Sequence, residues 1–159
     1  MKKQISYTLE KAAKRDIPAI VKLQEQMADY HHDMDPYWAE GKKTSTGFLK
    51  YLGKNIQKRS YRWLVAKSQN KVIAFFRAKI EENYMAKDKK VGHFSTAFVA
   101  KAYRNLGITS AAFKLLKEWF SAHGIHTIIL TVALGNSDGV RAWECLGFKA
   151  YMQTMKLKI

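Results

Sequence analysis

A single cysteine, Cys145, is the only thiol in this 159-residue chain. That excludes an internal disulfide framework and fits a reducing compartment. Long apolar runs are also missing. Stretches such as Val72–Phe76 and Ile128–Leu130 fall far short of the roughly 20 residues that span a bilayer. No apolar core follows the basic Met1-Lys2-Lys3, and charge returns at Glu10 and Lys11, so neither a secretory leader nor a membrane partner is expected. Low-complexity segments, linkers and repeats are absent, which favours one domain over 1–159 in the cytoplasm. Acidic residues are few: 13 Asp and Glu face 28 Lys and Arg, leaving a net charge of +15. Such an excess attracts polyanions, from nucleic acid to phosphorylated small molecules.

Hydrophobic spacing orders the elements that are present. A first strand is expected over 5–12. Asp16 and Pro18 open a helix carrying Ile20, Leu23, Met27 and Tyr30 at helical spacing. His31 to Gly47 reads as polar and irregular, and a second helix as Gly47 to Lys58. Strands are expected at Tyr61–Lys67 and Lys71–Ile80 around the turn Ser68-Gln69-Asn70, and again at 92–99. Ile108, Ala112, Leu115, Leu116 and Trp119 mark an amphipathic helix that ends near Gly124. A buried strand at Thr127–Val132, a helix capped by Asn136 and a last strand at Tyr151–Lys158 complete the order β-α-α-β-β-β-α-β-α-β. This order predicts a mixed, largely antiparallel α/β sheet with helices on both faces.

Two segments carry chemistry. Phe98 to Thr109 reads as a strand end, a loop with one glycine and the first turn of a helix. Backbone N–H groups converge at such a junction and the helix dipole adds positive potential, which suits a phosphate or pyrophosphate. Asn136-Ser137-Asp138-Gly139-Val140-Arg141-Ala142-Trp143-Glu144-Cys145-Leu146-Gly147-Phe148 follows about thirty residues later. Together these resemble the acetyl-CoA-binding signature of the GNAT superfamily of N-acetyltransferases. The family loop reads Gln/Arg-x-x-Gly-x-Gly/Ala with a Val or Ile five positions ahead. Arg104, Gly107 and Val99 match it, and Thr109 replaces the last small residue. The second segment resembles Asn-x-x-Ala-x-x-x-Tyr-Glu-x-x-Gly-Phe, with Gly139 in place of Ala and Trp143 in place of Tyr.

The resemblance implies acetyl-CoA as co-substrate. The amides of Asn105, Leu106, Gly107, Ile108 and Thr109 would hold its pyrophosphate, and the backbone of Phe98 and Val99 would pair with its pantetheine arm. Asn136 would add a cofactor hydrogen bond or serve as a helix cap, two compatible roles. Coenzyme A needs only a few of the basic residues. Trp143 has no acidic O–H, so it cannot protonate the leaving thiolate as the family's tyrosine does; packing against the cofactor arm is its expected part. Some family members place a glutamate eleven positions ahead of the Gln/Arg, and here that position is His93. A histidine titrates near neutrality and can deprotonate an amine, or it is a strand histidine without a role; Glu81 and Glu82 are the fallback.

Asp33, Asp35, Tyr37 and Trp38 follow the first helix, where the family borders its acceptor pocket. They would form an acidic, aromatic rim for a cationic amine, or a plain surface loop. His31 and His32 diverge by about 100° on a helix and no second ligand pair has zinc spacing, so no metal is expected. Cys145 has no histidine partner for nucleophilic work. Lys50, Lys54 and Lys58 form a ridge on the helix at 47–58, either a solvated face or a polyanion contact.

The resulting expectation is transfer of an acetyl group from acetyl-CoA to a primary amine, on a small molecule or a protein, by direct attack in a ternary complex. Two alternatives are an acyl-CoA-binding regulatory domain without catalysis and a basic nucleic-acid-binding module, although no zinc finger, RRM or helix-turn-helix pattern supports the latter. Family members often dimerise, so a homodimer also follows from the resemblance.

Overall fold

Along β2 (Tyr61–Ser68) successive side chains serve two different cores. Trp63 and Val65 join Ile20, Leu23, Leu52 and Ile56, while Leu64 and Ala66 join Ala112, Phe113, Leu116 and Phe120. This alternation is what a strand buried on both faces requires. The structure, a computed structural model, describes residues 5–159; the basic Met1-Lys2-Lys3 start lies outside them.

Five strands stand side by side in sequence order: β1 (Thr8–Lys11), β2, β3 (Lys71–Glu82), β4 (Lys90–Val99) and β5 (Ile128–Ile129). The first four are antiparallel and β5 runs parallel to β4. The β2–β3 turn places Gln69 and Asn70 at φ 49° and 60°, the left-handed pair that two-residue hairpins need. Helices α1 (Ile17–Met34) and α2 (Gly41–Asn55) supply one core, and α3 (Ile108–Ala122) supplies the other with help from α4 (Ser137–Cys145). No helix among the described residues is long and apolar enough to cross a membrane.

Several sequence expectations need correction. Helix α1 continues through His31 and His32 to Met34, so the irregular connection shrinks to residues 35–40. Helix α2 starts at Gly41, not Gly47, because contacts with α1 hold its first turn. The Gly41 N–H donates to Asp29 Oδ1 (2.7 Å), Gln24 Nε2 donates to Thr44 Oγ1 (3.0 Å), and Ser45 Oγ donates to Glu25 Oε1 (2.5 Å). A Cβ at Gly41 would strike the Glu25 backbone, so glycine is what lets the two helices meet. The helix also ends at Asn55, which leaves Lys50 and Lys54 on it and puts Lys58 in the turn before β2.

The last expected strand does not form. Residues 149–159 lie exposed outside the sheet, and β5 offers a ladder of only two residues beside β4. With so short an edge, the alternation of Tyr151, Met155, Leu157 and Ile159 has no strand to pair with.

Among the described residues one ionic side chain is buried. Asp16, at the start of α1, binds Lys67 Nζ through Oδ1 (2.8 Å) and accepts the Ala13 N–H at Oδ2 (2.8 Å). Lys67 also reaches Glu10 Oε1 (2.5 Å), tying β1, β2 and α1 together. Burial pushes the Asp16 carboxyl up, but the Lys67 and Ala13 hydrogen bonds and the nearby Lys67 and Arg15 charges together bring it below its usual value. A lowered carboxyl stabilises the fold above its unfolded pKa of about 3.9 and loses that contribution as pH falls through the folded value. Asp16→Asn should therefore cost about 1–2 kcal/mol at pH 7, since it leaves the partly exposed Lys67 with Glu10 as its remaining acidic partner. Urea midpoints measured from pH 7 down to 3 should converge for parent and variant at the acid end.

Candidate active site

The pairing of β3 with β4 slips between Arg77 and Ala78. Arg77 faces Thr96 and Ala78 faces Phe94, so Ser95 is an extra residue in β4. Such a bulge re-aims the side chains beyond it. Phe94 points to the α3 side, stacked on Phe113 at 5.7 Å and edge-on to Trp143 at 5.2 Å. Phe98, four residues later, packs on the other side against Phe75 at 6.3 Å. Strand β5 meets β4 only at Gly92 and His93, ahead of the bulge. From Ser95 to Val99 the outer edge of β4 therefore has no strand partner among the described residues. Gly92 lets α3 close at the narrow end: a Cβ there would come 2.6 Å from Phe120 Cε1.

The chain leaves this open edge through a short 3-10 turn, Lys101–Tyr103, and enters the loop before α3. Asn105 (φ 62°) and Gly107 (φ 74°) are both left-handed. Buried Ile108 anchors the first turn of α3, and the Ala111 N–H bonds the Gly107 carbonyl. Ahead of it, the N–H groups from Asn105 to Ser110 have no protein acceptor among the described residues. Unpaired donors at a helix start, with the dipole behind them, form an anion site. The space a Gly107 Cβ would enter is empty to 4 Å. Glycine is favoured there by its φ, not by crowding from the protein.

Arg104 folds back across the loop. Its Nε–H donates to the Val99 carbonyl (3.1 Å), and its guanidinium lies 5.5 Å from the Tyr30 ring centre and 5.7 Å from that of Phe98. The Val99 carbonyl is thus already occupied by the chain's own side chain. Asn136 caps α4 by accepting the Gly139 N–H at Oδ1 (3.0 Å), and the same oxygen accepts the Tyr30 hydroxyl (3.3 Å). Its Nδ2 donors have no protein partner among the described residues. Gly139 permits this arrangement, because a Cβ there would stand 2.5 Å from Asn136 Nδ2. Tyr30 links Arg104 to Asn136, the two halves of the sequence signature. Sequence reading assigned it only to an apolar stripe; its polar tip at the end of that stripe was the available cue.

Trp143 is half-buried between Phe94 and Phe148, a packing position beside the bulge. His93 lies on the opposite face of β4, paired with Lys79, and is half-buried. His93 Nδ1 lies 2.9 Å from Ser95 Oγ, and that hydroxyl also reaches the His93 carbonyl (3.3 Å), so the ring is hydrogen-bonded at Nδ1 while Nε2 has no protein partner among the described residues. Burial lowers the imidazole pKa from its usual 6.5; the Glu81 charge opposes this, and Lys79 and Arg77 add to it. The neutral form, able to accept a proton, is therefore favoured at pH 7. Of the fallback bases, Glu81 is held by Lys79 and Glu82 accepts the Tyr84 hydroxyl (3.2 Å).

Asp33 is exposed on the last turn of α1, and Asp35, Tyr37 and Trp38 occupy the connection to α2. None of them hydrogen-bonds to His93 or to the loop at 104–109 among the described residues. His32 Nδ1–H donates to the Trp38 carbonyl (2.6 Å), which employs that histidine within the turn. Cys145 is exposed at the edge of a recess of about 460 Å³ between α3 and the end of α4, with Lys114 and Lys117. A larger cavity of about 1260 Å³ lies beside Asp16, Lys67 and the β2–β3 turn and contains none of the expected site residues. It is wide and open around the structural ion pair, so the open β4 edge is the better candidate site.

Comparison with known proteins follows the same lines. The chain is similar in structure to a transcriptional regulator from Bacillus halodurans C-125 (TM-score 0.80, 18% identity, 97% of this chain and 100% of that one). It is similar to a predicted acetyltransferase solved with acetyl-CoA from Clostridium acetobutylicum (TM-score 0.78, 17% identity, 96% of both chains). It also resembles an aminoglycoside antibiotic 6'-N-acetyltransferase from Acinetobacter haemolyticus (TM-score 0.77, 16% identity, 96% and 97%). At these identities the likeness concerns the fold. No curated protein matches the sequence. The sequence pattern of the acetyltransferase (GNAT) family, however, matches residues 17–148, the greater part of the chain. This chain therefore belongs to the acetyltransferase (GNAT) family.

Proposed function

We propose that this protein moves the acetyl group of acetyl-CoA onto a primary amine by direct attack within a ternary complex. The observation that carries the reading is the run of unpartnered N–H groups from Asn105 to Ser110 beside the open edge of β4. Those donors fit a pyrophosphate, and the free Nδ2 of Asn136 adds a donor at the start of α4. The solved relative with acetyl-CoA and the aminoglycoside acetyltransferase among the structural neighbours support the same co-substrate and an amine acceptor.

In this reading the amine nitrogen forms a bond to the thioester carbonyl carbon, the C–S bond breaks, and CoA departs as thiolate. His93 Nε2 takes the proton that the amine must lose, directly or through water, and backbone N–H groups at the open edge of β4 stabilise charge on the carbonyl oxygen. Trp143 supplies no proton, so the thiolate is protonated from solvent. Holding thioester and amine together provides much of the acceleration. A non-catalytic acyl-CoA sensor is the second reading. It draws on the Trp143 replacement and on the transcriptional regulator among the neighbours. Release of CoA thiol with a panel of amines separates the two: binding without turnover identifies the sensor.

Gly107→Val should fold, because its Cβ meets open space, with about 1–2 kcal/mol lost to the left-handed φ. Acetyl-CoA affinity measured by calorimetry should fall at least tenfold. A folded variant with parental affinity would remove this loop from the site.

His93→Ala should lower kcat by about 10²-fold while leaving acetyl-CoA binding intact. Since burial holds the imidazole below its usual pKa, the rising limb of the parent's pH–rate profile should lie below pH 6.5. That limb should vanish or move to higher pH in the variant. Parental kcat and an unchanged profile would assign the proton to water or to another group.

A further inference from the structure

Residues 149–159 run exposed over their whole length, yet one side chain among them is held by charge. Lys156 Nζ meets Asp35 Oδ2 in the α1–α2 connection. The same ammonium stands 4.5 Å over the centre of the Tyr37 ring. The Tyr37 N–H donates to the other carboxylate oxygen, Asp35 Oδ1 (3.1 Å), so the turn that carries the ring also orients the acid. Trp38 stands edge-on to Tyr37 at 5.3 Å, and His32 holds the Trp38 carbonyl. The Lys156 hydrogen bond first, and the Tyr37 N–H second, keep the Asp35 carboxyl below its ordinary pKa, so it is ionised at neutral pH.

A carboxylate, an aromatic face and a braced backbone make a receptor for a cation. What fills it is a primary ammonium on a four-carbon stem, the group a lysine-like acceptor would present. Both interactions are exposed, and exposed ion pairs and cation–π contacts are individually weak. The segment bearing Lys156 makes no strand ladder that would hold it there. Such an occupant is easily displaced.

We propose that Asp35 and Tyr37 form a subsite for a lysine-like primary ammonium, and that Lys156 of the chain's own C-terminal segment fills it until an acceptor takes its place. The assignment of that ammonium to the acceptor rests on the acetyl-transfer reading. An incoming amine binds only the fraction of molecules whose rim is free, so its apparent affinity is reduced by that fraction.

The test titrates Nα-acetyl-lysine amide into the protein and follows the backbone amide resonances of residues 35–38. Lys156→Gln should bind the probe about threefold or more tightly than the parent, the scale of two weak exposed contacts. Lys158→Gln, which removes a neighbouring lysine, should match the parent. Adding Asp35→Asn to Lys156→Gln should cancel the gain. Equal affinity in parent and Lys156→Gln, or resonance shifts confined to other regions, would overturn the proposal. Calorimetry with acetyl-CoA on the same proteins reads the transferase proposal separately: failure there sinks that reading and leaves the rim result standing.

Discussion

The extra residue at Ser95 is the constraint on which the rest of the site depends. A regular β4 would keep Phe94 and Phe98 on one face. With the bulge, Phe94 enters the α3 core, Phe98 enters the α1–α2 core, and pairing with β5 stops at His93. An unpaired edge is a liability elsewhere in proteins; here it lies beside unpartnered loop amides. The hydroxyl of the same residue hydrogen-bonds His93 at Nδ1 (2.9 Å). One insertion in the ladder thus decides which core each phenylalanine enters and puts a hydroxyl beside the ring of His93.

The loop and α4 depend on each other through α1. Asn105 and Gly107 hold left-handed backbone, and their amides gain nothing from protein acceptors. Arg104 and Asn136 both touch Tyr30, one through its ring and the other through its hydroxyl. The Asn136 oxygen is consumed by the protein while its amide donors stay free, so the side chain is left to meet an acceptor atom. Arg104 occupies the Val99 carbonyl, so a ligand pairing with that carbonyl must first displace the guanidinium. Both halves of the signature are therefore tied to the protein by their acceptor or charged ends and offer donors outward.

Local chemistry made much of this legible. The spacing in α3, the Asn136 cap, the Ser68–Asn70 turn and the Gly147 stop are encoded within a few residues each, and all occur where the pattern implies. The start of α2 is not local: Gly41, Thr44 and Ser45 become helical because Asp29, Gln24 and Glu25 on α1 hold them. A last strand at Tyr151–Lys158 needs a neighbouring strand to pair with, and no local pattern names that partner. The β4 bulge has no composition of its own, since Ser95 could occupy any strand position. Tyr30 and Ser95 acquire their roles only when distant segments meet, which one-dimensional spacing does not record.

The charge balance places opposite demands on the two proposed substrates. A protein with a net charge of +15 attracts a phosphorylated co-substrate from a distance and repels a cationic amine. At physiological ionic strength that field decays over about 8 Å, so recognition of the amine must be local. Asp33 on the last turn of α1 and Asp35, Tyr37 and Trp38 in the connection after it concentrate acid and aromatic surface within six residues. Cation–π attraction acts only at contact, where the long-range field matters least. Lys156 reaches that connection despite the surrounding positive charge. The contact of Lys156 with Asp35 and Tyr37 shows the form such local attraction takes: one carboxylate and one ring face on a single ammonium.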